Sequence, residues 1–333
     1  MRSTTPLTSN PNDSLCEARH LSKRYGSHAV VDDLTFSIPR NRVVGLIGPN
    51  GAGKTTTMKM LLGLVRPTGG DISLLGRTVG EPGWGEVLHR VGSMIEAPPI
   101  YDRLTARQNL EYQSLAVSGG VDKDEVIQLL RLVDLADRAD DRPRGYSLGM
   151  RQRLGIAITL VGQPELVILD EPGNGLDPAG ILEIRKLMGR LPEQGTTVLV
   201  SSHQLAEVQQ ACDQLVILAN GRTVAQGTTD QILSGRSQHL FHVTVDDEEV
   251  ASAAYVLSSA GLSVAERIGT TFVVEPPPEF TGRDLNHLLA SNEVYASSIN
   301  QPVASLEDAF LHLVEQPDQT NNTTTTTGEA AQS

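Results

Sequence analysis

A lysine and a threonine directly behind a glycine, with another glycine five positions earlier, is a spacing that can hold a phosphate. Gly48, Pro49, Asn50, Gly51, Ala52, Gly53, Lys54, Thr55 and Thr56 follow one another and fit G-x-x-x-x-G-K-[ST]. The glycines let backbone N–H groups turn toward one anion, and a helix beginning at Lys54 adds its partial positive charge. In such a loop the Lys54 ammonium reaches the terminal phosphates of a nucleotide, and the Thr55 hydroxyl holds Mg²⁺. Asp170 and Glu171 are adjacent carboxylates that close an apolar run. Carboxylates there are costly unless paired or bound to metal. Beside a phosphate loop, the economical roles are Asp170 ordering Mg²⁺ and Glu171 orienting or deprotonating the attacking water. His203 closes another apolar run, on the side where doubly wound sheets bind ligands.

Other residues admit two readings. Tyr25 is either a half-buried tyrosine or an aromatic platform for a nucleotide base. Ser147 and Gly149 open a helical stretch, as a second anion-binding terminus or as a plain N-cap. Glu96 ends a short apolar segment at a carboxylate, and Asp177 stands exposed in the turn that precedes Pro178.

These groups need a scaffold, and the apolar pattern supplies one. Residues 43–47, 91–96, 166–171 and 196–202 read as strands, the buried ones with near-continuous apolar character. Helical spacing covers 54–65, 82–90, 104–110 and 121–135, with Thr105 as an N-cap. Strands are expected at 15–21, 30–38 and 71–75, a turn at 22–26, and a hairpin about Asn220-Gly221. The helices between 97 and 163 interrupt the strand series as an insertion. From residue 237 the segments 240–245, 250–260, 262–267, 271–274, 284–290 and 294–299 read β-α-β-β-α-β, with a closing helix at 304–314. The expected fold is therefore α/β: a P-loop nucleotide-binding domain with a helical insertion, plus a small α+β ferredoxin-like C-terminal domain. The expected boundaries are a disordered N-terminus at 1–14, an ATPase domain at 15–236, the C-terminal domain at 237–316 and a low-complexity tail at 317–333.

With a net charge of −13, the 333-residue chain is disfavoured as a nucleic-acid binder, because neutralising phosphates needs Lys/Arg surfaces. Its two cysteines, Cys16 and Cys212, lack metal spacing and read as reduced thiols. No apolar run approaches the roughly 20 residues that span a bilayer, and the N-terminus has no apolar signal region. A membrane role would come through a partner.

Taken together, the motifs resemble the ATP-binding subunits of ABC transporters, from about residue 15 to 235, with a looser match at 306–310. The resemblance makes ATP and Mg²⁺ the cofactors. It assigns adenine stacking to Tyr25 and metal ligation to Thr55, Asp170 and Glu96. Glu171 and His203 become the catalytic pair, and Asp177 marks the loop that crosses between subunits. Two departures stand out. The common LSGGQ signature is Tyr146, Ser147, Leu148, Gly149 and Met150 here, and the usual glutamine is Glu96. Both variants look like the bacitracin- and lantibiotic-exporter type. The resemblance implies a head-to-tail homodimer, with each ATP held between residues 48–55 of one copy and Ser147/Gly149 of the other. It also implies a separate integral-membrane permease, no nucleic acid, and a cytoplasmic location on the inner face of the membrane. The alternative is a soluble regulatory ATPase acting on ribosomes or DNA. Such proteins usually resemble tandem ATPase domains or carry long coiled coils, which this chain does not.

Overall fold

The structure, a computed structural model, describes residues 14–234, 240–277 and 279–301. The expected closing helix at 304–314, the tail, the looser match at 306–310 and residues 1–13 lie outside the described residues. One compact unit runs to Thr229, and a second begins at Asp230, a few residues ahead of the boundary expected at 236.

The first unit opens with two long strands, β1 (Ser14–Tyr25) and β2 (His28–Pro39), joined by a tight turn. The segment 22–26, expected as a turn, is largely strand. Its polar residues sit at the solvent end of a hairpin that carries several register shifts, so they break the apolar alternation without breaking the pairing. Next come β3 (Val43–Ile47), buried at every residue, and α1 (Lys54–Leu61). α1 stops short of the expected residue 65. Gly63 takes a left-handed φ of +71°, and the Leu64 and Val65 N–H groups both return to the Lys59 carbonyl. The chain continues through β4 (Gly69–Leu74), β5 (Arg77–Thr78), α2 (Trp84–Leu88) and β6 (Val91–Met94).

The insertion contributes α3 (Ala106–Ser118), α4 (Lys123–Leu132) and α5 (Leu148–Thr159). Thr105 caps α3 in a reciprocal capping box with Gln108, and Asp122 caps α4. The unit then adds β7 (Leu166–Asp170), α6 (Pro178–Arg190), β8 (Thr197–Ser202), α7 (Leu205–Ala211), β9 (Gln214–Ala219) and β10 (Arg222–Thr228). Asn220 and Gly221 turn the last hairpin with positive φ at both positions, as a two-residue Asn-Gly loop requires.

Six of these strands form one sheet in the order β10-β9-β3-β8-β7-β6, parallel except for β10 at its edge. Their apolar faces share a core with the antiparallel sheet β2-β1-β4-β5, around Leu21, Leu34, Leu46, Met58, Ile168 and Val216. Two close approaches fix how helices meet the parallel sheet. A Cβ on Gly92 would lie 1.9 Å from the Thr159 carbonyl oxygen, and one on Gly45 would lie 2.7 Å from Val208.

The unit boundary falls within the first turn of α8 (Thr229–Ser234), and the second unit then contains β11 (Phe241–Thr244), α9 (Val250–Ser259), β12 (Ser263–Ile268), β13 (Thr271–Glu275), α10 (Gly282–Ala290) and β14 (Ser298–Asn300). Its strands form an antiparallel sheet in the order β12-β13-β11-β14, and Phe241, Val243, Leu257, Phe272 and Leu285 build a core of their own. Among the described residues, no helix is long and apolar enough to cross a membrane.

Both cysteines are buried and unpaired. Burial, with Glu17 adding to it, pushes the Cys16 thiol up to about 12. Burial, with Asp213 adding to it, does the same to Cys212. At pH 8 only about one such thiol in 10⁴ is a thiolate, the reactive form. The native protein should therefore resist a thiol-specific chromogenic reagent, whereas the urea-unfolded chain titrates both thiols at once. Rapid labelling of either cysteine in the folded protein would contradict this burial.

Candidate nucleotide-binding site

Register builds the site. In the parallel ladders Ile47 pairs with Ser202, and Asp170 pairs with Ser201. The residues that follow β3, β7 and β8 therefore emerge at one end of the sheet: Gly48, Glu171 and His203. This is the carboxyl edge, where open α/β sheets bind ligands.

The loop from Gly48 to Gly53 is shaped by glycine at two points. A Cβ on Gly48 would stand 2.6 Å from the Leu218 carbonyl oxygen. Gly53 caps α1 at φ +98°, where its Cβ would stand 2.8 Å from the Val30 carbonyl oxygen. Within the loop the Ala52 N–H donates to the Pro49 carbonyl at 3.1 Å, and Asn50 and Gly51 face solvent. Lys54 is 6% exposed, an unusual burial for a lysine. Its ammonium donates to the Gly48 carbonyl at 2.8 Å and the Pro49 carbonyl at 3.3 Å, and lies 3.7 Å from the Glu171 carboxylate. Thr56 follows in the first turn of α1, partly buried.

The Thr55 hydroxyl donates to Asp170 Oδ2 at 2.8 Å. The Ser201 hydroxyl donates to Asp170 Oδ1 at 2.5 Å and accepts from the Glu171 N–H at 2.9 Å. His203 Nδ1 lies 3.2 Å from Glu171 Oε2. Glu171 itself takes a left-handed φ of +47°, which turns the chain sharply out of β7. Thus Lys54, Thr55, Asp170, Glu171 and His203 come together, and two anionic oxygens face a cation, a helix N-terminus and hydroxyl groups. The Thr55 and Asp170 oxygens are the donor type that a hard cation prefers, and one carboxylate beside a phosphate loop suits Mg²⁺, which keeps several waters and substrate phosphates as its other ligands.

Glu96 also lines this cleft, with Thr55, Asp170, Glu171, Asn174 and Gln152. Its carboxylate is 2.6 Å from the Lys59 ammonium on α1. That hydrogen bond, against a small desolvation cost and helped by the charges of Glu96, Asp170 and Tyr25, raises the Lys59 pKa. Tyr25 ends β1 about half exposed, with the Lys23 ammonium 4.9 Å from its ring centre.

Ser147, Gly149 and Asp177 form a separate neighbourhood. Ser147 caps α5 by accepting from the Met150 N–H at 3.2 Å. Asp177 caps α6 by accepting from the Gly180 N–H at 3.0 Å, with Pro178 in the first helical position. The two segments touch: a Cβ on Gly175 would lie 3.2 Å from Leu148, and one on Gly149 would lie 3.8 Å from Leu176. Among the described residues, no hydrogen bond or ion pair joins Ser147, Gly149 or Asp177 to residues 48–56 in the same chain.

Sequence reasoning gave no individual role to three residues. Ser201 is a fully buried hydroxyl in an apolar strand, and its signal was its place opposite Asp170 once the two strands are laid parallel. Lys59 stands four residues beyond Thr55 on α1, and only its pairing with Glu96 shows what it does. Gln152, which ends the signature segment 147–152, is buried, and its Oε1 has no partner among the described residues; the motif marked the segment but gave this side chain no role.

The sequence matches the ABC transporter family over residues 31–174. It is 36% identical over 303 residues to the bacitracin transport ATP-binding protein BcrA of Enterococcus faecalis, covering 90% of this chain and 96% of that protein. It is 40% identical over 218 residues to the lantibiotic transport ATP-binding protein SrtF of Streptococcus pyogenes, covering 65% of this chain and 92% of that one. A solved structure described as the ATP binding subunit of an ABC transporter superposes with a TM-score of 0.59 at 35% identity, over 67% of this chain and 93% of its own.

Ser201 tests the architecture directly. Replacing it by alanine strips one donor from Asp170 and one acceptor from the Glu171 N–H, both partly buried. Ser201→Ala should lower the unfolding free energy by about 1–3 kcal/mol, read by urea denaturation. A midpoint and slope equal to those of the parent would show that the serine bridges nothing of consequence.

Proposed function

The chain belongs to the ABC transporter ATP-binding family, and from that premise we propose that it hydrolyses ATP to drive export of a peptide antibiotic or similar amphiphile through a separate membrane subunit. The observation that carries the reading is the meeting of Lys54, Thr55, Asp170, Glu171 and His203 at the carboxyl ends of three adjacent parallel strands. The printed names of BcrA and SrtF support the cargo class.

Each residue has a role that follows from its surroundings. The backbone N–H groups of residues 48–56 receive the phosphates, and Lys54, already buried among carbonyls, exchanges those weak acceptors for phosphate oxygens. Thr55 and Asp170 are the residues that would hold Mg²⁺, with Glu96 at the edge of the same cleft. Bound there, Mg²⁺ would offset negative charge on the phosphates. Glu171 accepts the proton of the attacking water or orients it, and His203 steadies that carboxylate from its other oxygen. Tyr25 offers its exposed ring to the adenine.

A second copy completes this reading. Ser147 and Gly149 present a capped helix start that has no bond to residues 48–56 within one chain, so they are available to a neighbour's nucleotide. Closing two such sites face to face excludes water and raises the affinity of the closed dimer for ATP; hydrolysis removes that preference. Asp177 then stands at the subunit boundary. The ATPase works on the cytoplasmic face of the membrane, docked on its permease.

We divide the chain into an ATPase domain reaching to about residue 236 and a C-terminal domain of ferredoxin-like type. The order β-α-β-β-α-β and the sheet β12-β13-β11-β14 support that type. The match to BcrA is longer than the first unit and so extends into the second, whereas the shorter SrtF match already spans nearly all of SrtF. A part that one relative shares and another does without suits regulation or dimer support better than catalysis.

Two experiments test these assignments. Glu171→Gln should keep ATP affinity within about threefold, lose turnover by about 10²–10⁴-fold and accumulate an ATP-bound dimer. Lys54→Ala should weaken binding itself; nucleotide titration, phosphate release and mass in solution separate the two. Undiminished turnover in Glu171→Gln would remove the carboxylate from the mechanism. A chain ending at Ser234 should bind ATP nearly normally while its dimerisation or transport coupling changes. Loss of ATP binding by a truncated chain that keeps its helical circular dichroism would place the second unit in the nucleotide site.

A further inference from the structure

Glu96 lines the cleft that holds Thr55 and Asp170 and pairs with Lys59 of α1, and neither residue belongs to the phosphate loop. Thr55 and Lys59 are four residues apart on α1, so they share one face of that helix. The Thr55 hydroxyl reaches Asp170, and one turn further along, the Lys59 ammonium reaches Glu96. The Glu96 backbone is held at φ +69°, and the next N–H, of Ala97, turns back to the Ile95 carbonyl. A glutamate in that conformation is unusual and is set by its surroundings. Its side chain is about two-thirds exposed and that of Lys59 about one-third, so the pair is screened and readily exchanged.

Without Lys59, the cleft would carry a bare carboxylate from Glu96 in addition to Asp170 and Glu171. A further full negative charge attracts a divalent cation and repels phosphates that arrive without one. With Lys59 in place, Glu96 contributes no net charge. We propose that Lys59 is a positioning residue: it holds the Glu96 carboxylate in a neutral, exchangeable ion pair beside Thr55 and Asp170, and so sets how much Mg²⁺ the cleft requires before nucleotide is taken up. The proposal rests on the reading of this cleft as the Mg²⁺–nucleotide site. It concerns metal demand, a property separate from turnover.

The test is a double-mutant cycle read by binding alone. Calorimetry follows the non-hydrolysable analogue AMP-PNP binding to the full chain as Mg²⁺ is raised. Lys59→Met should lower the Mg²⁺ concentration for half-maximal binding by about five- to tenfold, because Glu96 becomes a free carboxylate. Glu96→Gln should raise it, because the exchangeable carboxylate is lost, and adding Lys59→Met to Glu96→Gln should shift it less than about twofold. Lys59→Arg keeps the charge and should stay at the parent value; Lys59→Gln replaces Lys59→Met if the latter does not fold. Equal shifts from Lys59→Met with and without Glu96 would reduce Lys59 to a through-space charge and overturn the proposal. So would a lowered melting temperature with unchanged Mg²⁺ demand, which is the mark of a purely structural pair. Failure of the parent chain to bind AMP-PNP at any Mg²⁺ concentration would instead sink the nucleotide-site reading on which the proposal stands.

Discussion

The Asp170 carboxylate is the constraint on which the rest of this architecture turns. It closes β7, a strand buried at every other residue, and a charge there is tolerable only with donors around it. Thr55 and Ser201 supply them, one from the start of α1 and one from β8. The same carboxylate therefore ties the phosphate loop, the strand that carries Glu171 and the strand that leads to His203. Because Ser201 also accepts from the Glu171 N–H, the direction in which Glu171 leaves the sheet is set by the group that satisfies its neighbour. Two hydroxyl bonds thus register three elements at the carboxyl edge of the parallel sheet.

Much of this was legible in the residues. The phosphate loop announces itself because close backbone approach demands glycine at fixed places, and a side chain at Gly48 or Gly53 would press on a backbone carbonyl. The strands β3, β7 and β8 were legible because a doubly covered parallel strand must be apolar throughout. Segment 22–26 was misread because polar side chains on an exposed hairpin end look like a turn, while backbone pairing, which leaves no mark on composition, decides the matter. The end of α1 was overestimated because Leu64 and Val65 continue the apolar pattern after Gly63 has already stopped the helix. Ser201 and Lys59 needed the third dimension. Their importance lies in what stands opposite, and that is known only when strand register or helix face is fixed.

The site is also divided. Residues 48–56, Asp170, Glu171 and His203 converge, while Ser147, Gly149 and Asp177 gather elsewhere, with the Ser147 and Asp177 side chains capping α5 and α6. A helix cap and an anion site draw on the same orphan N–H groups, so Ser147 can satisfy its own helix and still leave neighbouring donors free. The contact of Leu148 with the Gly175 turn means that the start of α5 and the chain just beyond Glu171 are packed as one surface. In the common signature a glycine stands where this chain has Leu148, and a glycine could not make that contact.

Glu171 holds a left-handed backbone, a conformation that costs a non-glycine residue about 1–2 kcal/mol. Glycine would occupy the same position without that cost. Glycine would also forfeit the carboxylate that lies 3.7 Å from the buried Lys54 ammonium and 3.2 Å from His203 Nδ1. Position 171 thus sets a relaxed backbone against a placed carboxylate, and the chain keeps the carboxylate.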